Sequence, residues 1–315
     1  MTNRLNRLLW LLLMLAPLAV PTEASAQERD NDTPWWDRTS DDGPRRARRV
    51  DEAALADEGG LLPTETWAER LNSEGAEFYY SLRILGAEAG RAAFTIGGPV
   101  ETDYGPVLPL QGMAVSVGFF AAVYPFENTA ITYVDLDDGL PVWTEKVIDE
   151  RDAHRVYAVT FDQDEFQADV ARDRDGRMSE YSRYAPSDLH DALSWIVDIR
   201  TRPLEEGDIY VYHVYDGWKL SRLTCRVVDH TRMFTEFGML PVIEMQFTRE
   251  VMTSMAPLPW ADDSTTLPPV YMLTDGPTDV GRGWFSNDEL RLPIGVSITA
   301  PIGSMEMRLD RYVIP

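Results

Sequence analysis

The side chains best equipped for chemistry in this chain are four histidines, one cysteine and a large set of carboxylates. His154, His190, His213 and His230 are well separated, and none lies in a His-x-x-Glu-His run or another close ligand spacing, so the local sequence offers no metal centre. Cys225 stands alone, which excludes an internal disulfide framework and any all-cysteine zinc or iron–sulfur site. It alternates with Leu223 and Val227 on one strand face, the setting of a buried inert thiol. Asp173, Asp175 and Gly176 imitate the start of a calcium loop, but Ala171 and Ser182 stand where further ligands would be needed, and the group reads as a hairpin turn. Acids within 135–138 and 162–165 fall at strand ends, where a glycosidase could draw two carboxylates; in so acidic a chain such pairs also arise by chance. No Gly-x-Ser-x-Gly elbow, P-loop or Ser-x-x-Lys run occurs. The sequence thus implies no metal and no cofactor, and it assigns no catalytic residue.

Those residues need a scaffold. The chain has 315 residues, 44% of them hydrophobic, a globular composition large enough for one sizeable domain or two small ones. With 29 Lys and Arg against 52 Asp and Glu the net charge is −23, which argues against nucleic acid or anionic lipid as a partner, since electrostatic attraction supplies most of that affinity. Arg4 and Arg7, the apolar run from Leu8 to Val20 and Ala24-Ser25-Ala26 have the form of a signal peptide cleaved after Ala26. A periplasmic or secreted protein is therefore expected, with no transmembrane segment after cleavage. Residues 27–74 mix charge runs and turn formers and read as a disordered linker, relieved only by Trp35-Trp36. The acidity belongs chiefly to residues 75–315, where 20 Lys and Arg face 38 acids.

From residue 75 onward closely spaced strand patterns take over. Ala76 to Leu85 and Ala89 to Ile96 read as a first hairpin, His154 to Phe161 alternates, and Asp216-Gly217 joins Ile209 to Tyr215 with Trp218 to Val228. Leu292, Ile294, Val296 and Ile298 alternate with polar or small residues before a last hairpin. The expected fold is mainly β, an antiparallel meander curled into an open or half barrel. Leu189, Ala192, Leu193, Ile196 and Val197 carry the apolar stripe of one amphipathic helix, at about 188–201, whose place is the mouth or the concave face of the sheet. A Pro-rich insertion at about 253–283 breaks the strand pattern and reads as a flap over one end of the sheet.

Three stretches in fixed order resemble a known family: Gly75 to Gly86 with Ala89-Gly90, Ser187 to Trp195 running into Ile199 to Leu204 with Gly207-Asp208, and Trp284 to Pro293 with Gly303-Ser304. The chain resembles, over about 75–315, the bacterial exported family called domain of unknown function 3108. The resemblance implies an exported antiparallel β domain curved into an open barrel, similar in shape to carriers of lipids and lipoproteins in the bacterial envelope, and it carries over no catalytic residues. Asp191, Arg200 and Asp288, at its motif positions, are candidates for a structural ion-pair set pinning helix to sheet.

The leading expectation is a non-enzymatic cell-envelope protein that binds an amphipathic or apolar, lipid-like ligand on its curved sheet, with Trp195, Met233, Met245 and Trp284 lining the cavity or flap. An envelope protein–protein interaction module, using edge strands or the Trp35-Trp36 arm, is the alternative. A glycan-acting hydrolase is the third.

Overall fold

A computed structural model describes residues 67–71, 73–255, 270–274, 276–300 and 303–315. The expected signal peptide, the Trp35-Trp36 arm and the prolines at 257, 259, 268 and 269 lie outside the described residues.

Among the described residues seventeen strands form one sheet. β1 (Glu77–Ile84) and β2 (Ala87–Ile96) make the first hairpin. Its turn residues, Leu85 and Gly86, both have positive φ, 52° and 82°, the backbone twist that a tight antiparallel turn requires. β3 (Val100–Thr102) and β2 both pair with β4 (Gly105–Ser116). β5 (Phe126–Asp135), β6 (Pro141–Glu150), β7 (Ala153–Asp162), β8 (Gln167–Arg174) and β9 (Arg177–Tyr184) follow as a meander, each antiparallel to its predecessor.

Beyond a short β10 (Leu189–His190) the second run comprises β11 (Ile209–Tyr215), β12 (Leu220–Thr235), β13 (Gly238–Met255), β14 (Val270–Leu273), β15 (Thr278–Ser286), β16 (Pro293–Ala300) and β17 (Gly303–Val313). β17 returns to pair with β1, placing Leu309 opposite Tyr80. The first and last strands are therefore neighbours in mid-sheet, and the edges fall to β9 on one side and to β10 with β11 on the other. Among the described residues no ladder joins those edges, so the curled sheet is not closed into a barrel.

Alternation decides which face is buried. Along β5, Phe126, Asn128, Ala130, Thr132 and Val134 point into the core while the intervening residues face outward, the period of two that a half-buried strand imposes. Against this inner face lies the connection from Leu189 to Leu204, and it touches all three apolar clusters. Ala192, Leu193 and Val197 pack with Phe78, Leu110 and Ala114; Trp195, Ile199 and Leu204 pack with Tyr212, Met245 and Phe247; Leu189 packs with Val159, Tyr215 and Leu220. Each fully buried apolar side chain of this kind is worth about 1.5–3 kcal/mol. The connection is an internal plug.

The structure corrects three expectations. The helix is shorter than 188–201: among the described residues an α-helical turn, α1 (Trp67–Leu71), comes first, then α2 (Gly118–Val123), and the plug holds α3 (Ser194–Asp198) followed by a 3-10 turn at Ile199–Thr201. Leu189 and His190 are drawn into a parallel bridge with His213 and Val214 instead, and the Asp191 carboxylate receives the N–H groups of Leu193 and Ser194, which starts the helix there. The second correction concerns 27–74: Trp67 and Leu71 are buried in the largest cluster, so the folded domain begins before residue 75. The third concerns 253–283, where β13 runs on to Met255 and where β14 and the first part of β15 are strands. Val270, Tyr271, Met272 and Leu273 are strand formers that the surrounding prolines obscured.

Candidate functional site

The plug is held at three points, each built by one polar residue. Asp191, buried, accepts hydrogen bonds from the hydroxyls of Thr132 on β5 and Thr144 on β6, the latter at 3.1 Å, as well as from the two helix amides. Asp198, at the end of α3, accepts from Trp67 Nε1 at 3.0 Å, Tyr212 Oη at 2.8 Å and Arg202 Nε at 3.0 Å. Arg200 donates to the carbonyls of Leu290 and Arg291 and to Ser73 Oγ, with its guanidinium over the Phe78 ring. Burial lowers its pKa to about 10.

Asp191 and Arg200 hold the plug through hydrogen bonds, and no described salt bridge joins the two to each other. Asp191 is bound by hydroxyls and amides, Arg200 by carbonyls and one hydroxyl. Asp288 serves its own turn, accepting from Ser286 Oγ and from the N–H groups of Leu290 and Arg291. Among the described salt bridges none joins these three residues. A partly exposed acid close to three donors in its own turn has little to gain from a distant cation.

Beside the start of the plug, the two sides of the open sheet meet through side chains. The Gln163 amide, beyond the end of β7, works like a fragment of strand: Nε2 donates to Leu189 O at 3.0 Å and Oε1 accepts from Leu189 N at 3.1 Å. Tyr181 Oη on β9 donates to Gly217 O in the β11–β12 turn at 2.8 Å, and Lys146 Nζ on β6 donates to Asp216 O. Beneath them the third cluster gathers Tyr157, Val159, Val170, Tyr215 and Leu220 from both sides of the gap. Along β11, Ile209 and Val211 stay about half exposed, at 49% and 50%, beside an edge that β10 covers only at His213 and Val214.

The four expected cavity residues divide into two pairs. Trp195 and Met245 are buried in the second cluster, where the Trp195 ring meets Phe247 edge-on at 5.7 Å. Met233 and Trp284 are partly buried against the first cluster, and Trp284 sits across the ladder from Glu244.

The titratable groups are similarly dispersed. His190 is buried, with its Nδ1 3.1 Å from Ser194 Oγ, and burial holds its pKa below the ordinary histidine value. His154 pairs with Asp149 and His213 with Asp188, on separate parts of the molecule. Asp135, Asp138 and Asp162 accept backbone N–H groups in their own turns. Cys225 is buried, and burial raises its thiol pKa. Among the described residues no group of three His, Cys, Asp or Glu side chains is placed to hold a metal ion, and no helix is long and apolar enough to cross a membrane.

A family model described as protein of unknown function, DUF3108, matches residues 77–310, from the first residue of β1 into β17. The chain belongs to the DUF3108 family. The match spans both sheet edges, the plug and the mid-sheet junction of the first and last strands. No curated protein matches this DUF3108 chain.

Three solved structures are similar to it. A β-barrel-like protein of the DUF1849 family from Brucella abortus has 10% identity and a TM-score of 0.46, with 76% of this chain and 98% of that one covered. An exported protein with a YmcC-like fold from Bacteroides fragilis has 8% identity and a TM-score of 0.30, covering 77% and 97%. A lipoprotein from Parabacteroides distasonis has 7% identity and a TM-score of 0.29, covering 77% and 96%.

The sequence pointed to Asp191 and Arg200 but missed Asp198. One local signal was available: an acid inside the apolar run 195–199, with Arg202 four residues on, the spacing of a helical ion pair. Nothing local announces that Gln163 reaches β10.

Proposed function

We propose that this protein is a non-enzymatic component of the cell envelope that takes up an amphipathic, lipid-like molecule between the two halves of its curved sheet. The observation that carries this reading is the seam between the β6–β9 part of the sheet and the β10–β12 part, which among the described residues is joined by side-chain hydrogen bonds and by no backbone ladder. A few side-chain hydrogen bonds, each worth about 0.5–1.5 kcal/mol net, part far more readily than a run of backbone pairs. The wall behind the seam is apolar, and an acyl chain entering it would exchange one apolar contact for another. Trp195, Met245 and Phe247 are the next apolar layer, and an unbranched methionine adapts its shape at low cost.

The test is extraction of protein purified from its native compartment, followed by mass spectrometry of the extract, together with uptake of a fluorescent long-chain fatty acid. A co-purifying acyl compound is expected, and faster uptake by the Gln163→Ala, Tyr181→Phe double variant than by the parent. An empty extract, together with no uptake by either protein, would overturn the reading.

The exposed edge of β11 supports a second reading, an interaction module that accepts an extended partner segment as an added strand. Lysines at Ile209 and Val211 blunt such an edge. If the module reading holds, that double variant loses partners recovered by cross-linking with the parent, while a truncation ending at residue 66 tests the arm without removing Trp67 from the core.

A further inference from the structure

On the outer face of the sheet, away from the plug, lies an open cleft of about 290 Å³ lined by Thr102, Asp103, Tyr104, Tyr133 and Trp143. Its floor is a cross-strand pair. Tyr133 on β5 is directly opposite Trp143 on β6, and their rings lie 5.4 Å apart at 32°. The period of the strands puts both rings outside, because their neighbours Thr132, Val134 and Thr144 point into the core. The third aromatic, Tyr104, comes from the β3–β4 turn. That turn is fixed by Thr102, whose Oγ1 donates to Gly105 O at 2.9 Å and accepts from Tyr104 N at 3.2 Å.

Thr102 is committed to its turn, and among the described residues no hydrogen bond engages the Tyr104 or Tyr133 hydroxyl or the Trp143 indole N–H. Asp103 is exposed at the rim. Aromatic faces beside one carboxylate suit a large, weakly hydrated cation.

Charge points the same way. Residues 97–145, which supply β3, β4, β5 and the start of β6, contain no Lys, Arg or His but seven acids: Glu101, Asp103, Glu127, Asp135, Asp137, Asp138 and Glu145. Of these, Asp103 lines the cleft itself, and its carboxylate favours a cation beside the ring faces. Small hard cations gain little from ring faces relative to their hydration; quaternary ammonium ions gain more.

We infer that the Tyr104, Tyr133 and Trp143 cleft binds a quaternary ammonium group, the chemistry shared by free choline and by a choline lipid headgroup. The inference is independent of the ligand proposed for the seam between the β6–β9 and β10–β12 parts, since the two sites use different residues on opposite faces of the sheet.

The experiment is calorimetric titration of the full chain, at constant ionic strength, with choline chloride and separately with phosphatidylcholine vesicles. The neutral isostere 3,3-dimethylbutan-1-ol and glucose serve as comparison ligands. Saturable binding in either cationic arm, about tenfold weaker for the isostere and about tenfold weaker in Trp143→Ala, supports the inference and identifies the source. Asp103→Asn, at an exposed turn position with no packing role, is expected to weaken choline binding without changing the unfolding midpoint, so a folding defect in Trp143→Ala cannot mask the answer. No saturation in either cationic arm, equal binding of the isostere, or a preference for glucose would overturn it.

Discussion

The indole Nε1 of Trp67 donates to Oδ1 of Asp198 at 3.0 Å, joining two buried side chains 131 residues apart. The bond ties the turn before the first strand to the end of α3 in the plug, and Tyr212 and Arg202 converge on the same carboxylate. Removing that acceptor strands a buried indole N–H and a buried phenol. Asp198→Ala is therefore expected to cost about 2–4 kcal/mol, and Trp67→Phe, which spares most of the packing, about 1–2 kcal/mol. Urea unfolding checks both, the midpoint falling at unchanged slope.

Gly139 makes room for the same indole. Its φ is +75°, and a Cβ there would overlap the Trp67 ring. Gly139→Ala is expected to lose about 1–3 kcal/mol, against about 1 kcal/mol for Gly86→Ala, where φ is +82° but nothing lies within 4 Å. The Gly139 penalty should shrink when Trp67 is also truncated to alanine; a double-mutant cycle in denaturant shows whether it does.

Two histidines give stability pH dependences of opposite sign. His190 is held below its ordinary value of 6.5 by burial, so its contribution is complete above pH 6.5 and is lost as pH falls from there through the folded-state value, because the unfolded chain takes up the proton first. His154 is raised above 6.5 by its hydrogen bond to Asp149, so its contribution is present below pH 6.5 and is lost as pH rises through the raised value. His154 is largely solvent-exposed, and its effect is correspondingly small. Midpoints measured from pH 5 to pH 8 should show the acid-side decline flattened in His190→Gln and the alkaline-side decline flattened in His154→Asn.

Cys225 should be silent until its strand opens. The thiol is fully buried, and burial raises its pKa, so both access and thiolate are lacking. Labelling by a thiol-specific disulfide reagent is expected to follow the unfolding transition as denaturant is added. Rapid reaction in native buffer would mean that β12 opens locally.

The parts of the fold legible in the sequence are those whose information is local. The Leu85-Gly86 and Asp175-Gly176 turns, the alternation of β7 and the last hairpin follow from periodicity and turn chemistry within about ten residues. The plug was only half legible. Its apolar stripe is present at 189–197, but a helical stripe and a segment that must satisfy three clusters at once look alike in one dimension, and the parallel bridge to β11 overrides the helix at Leu189. Asp191 and Arg200 stand out in the sequence as charges near a helix, whereas their partners, two threonine hydroxyls and a pair of carbonyls, carry no charge pattern to follow. Trp67 lies in a five-residue helix, too short to show periodicity, after a stretch that composition alone marks as polar.

The pairing of β1 with β17 has one more consequence. A meander with terminal strands at its edges can zip from either end, each hairpin templating the next; here the two ends must find each other across nearly the whole chain before the sheet becomes continuous. The natural breaks lie instead around the turn after β9, in mid-sequence. Joining the C-terminus to the helical turn at Trp67 and opening the chain beside Pro186 would turn the longest closure into an ordinary hairpin, making the domain a sequential meander that folds faster around an unchanged core.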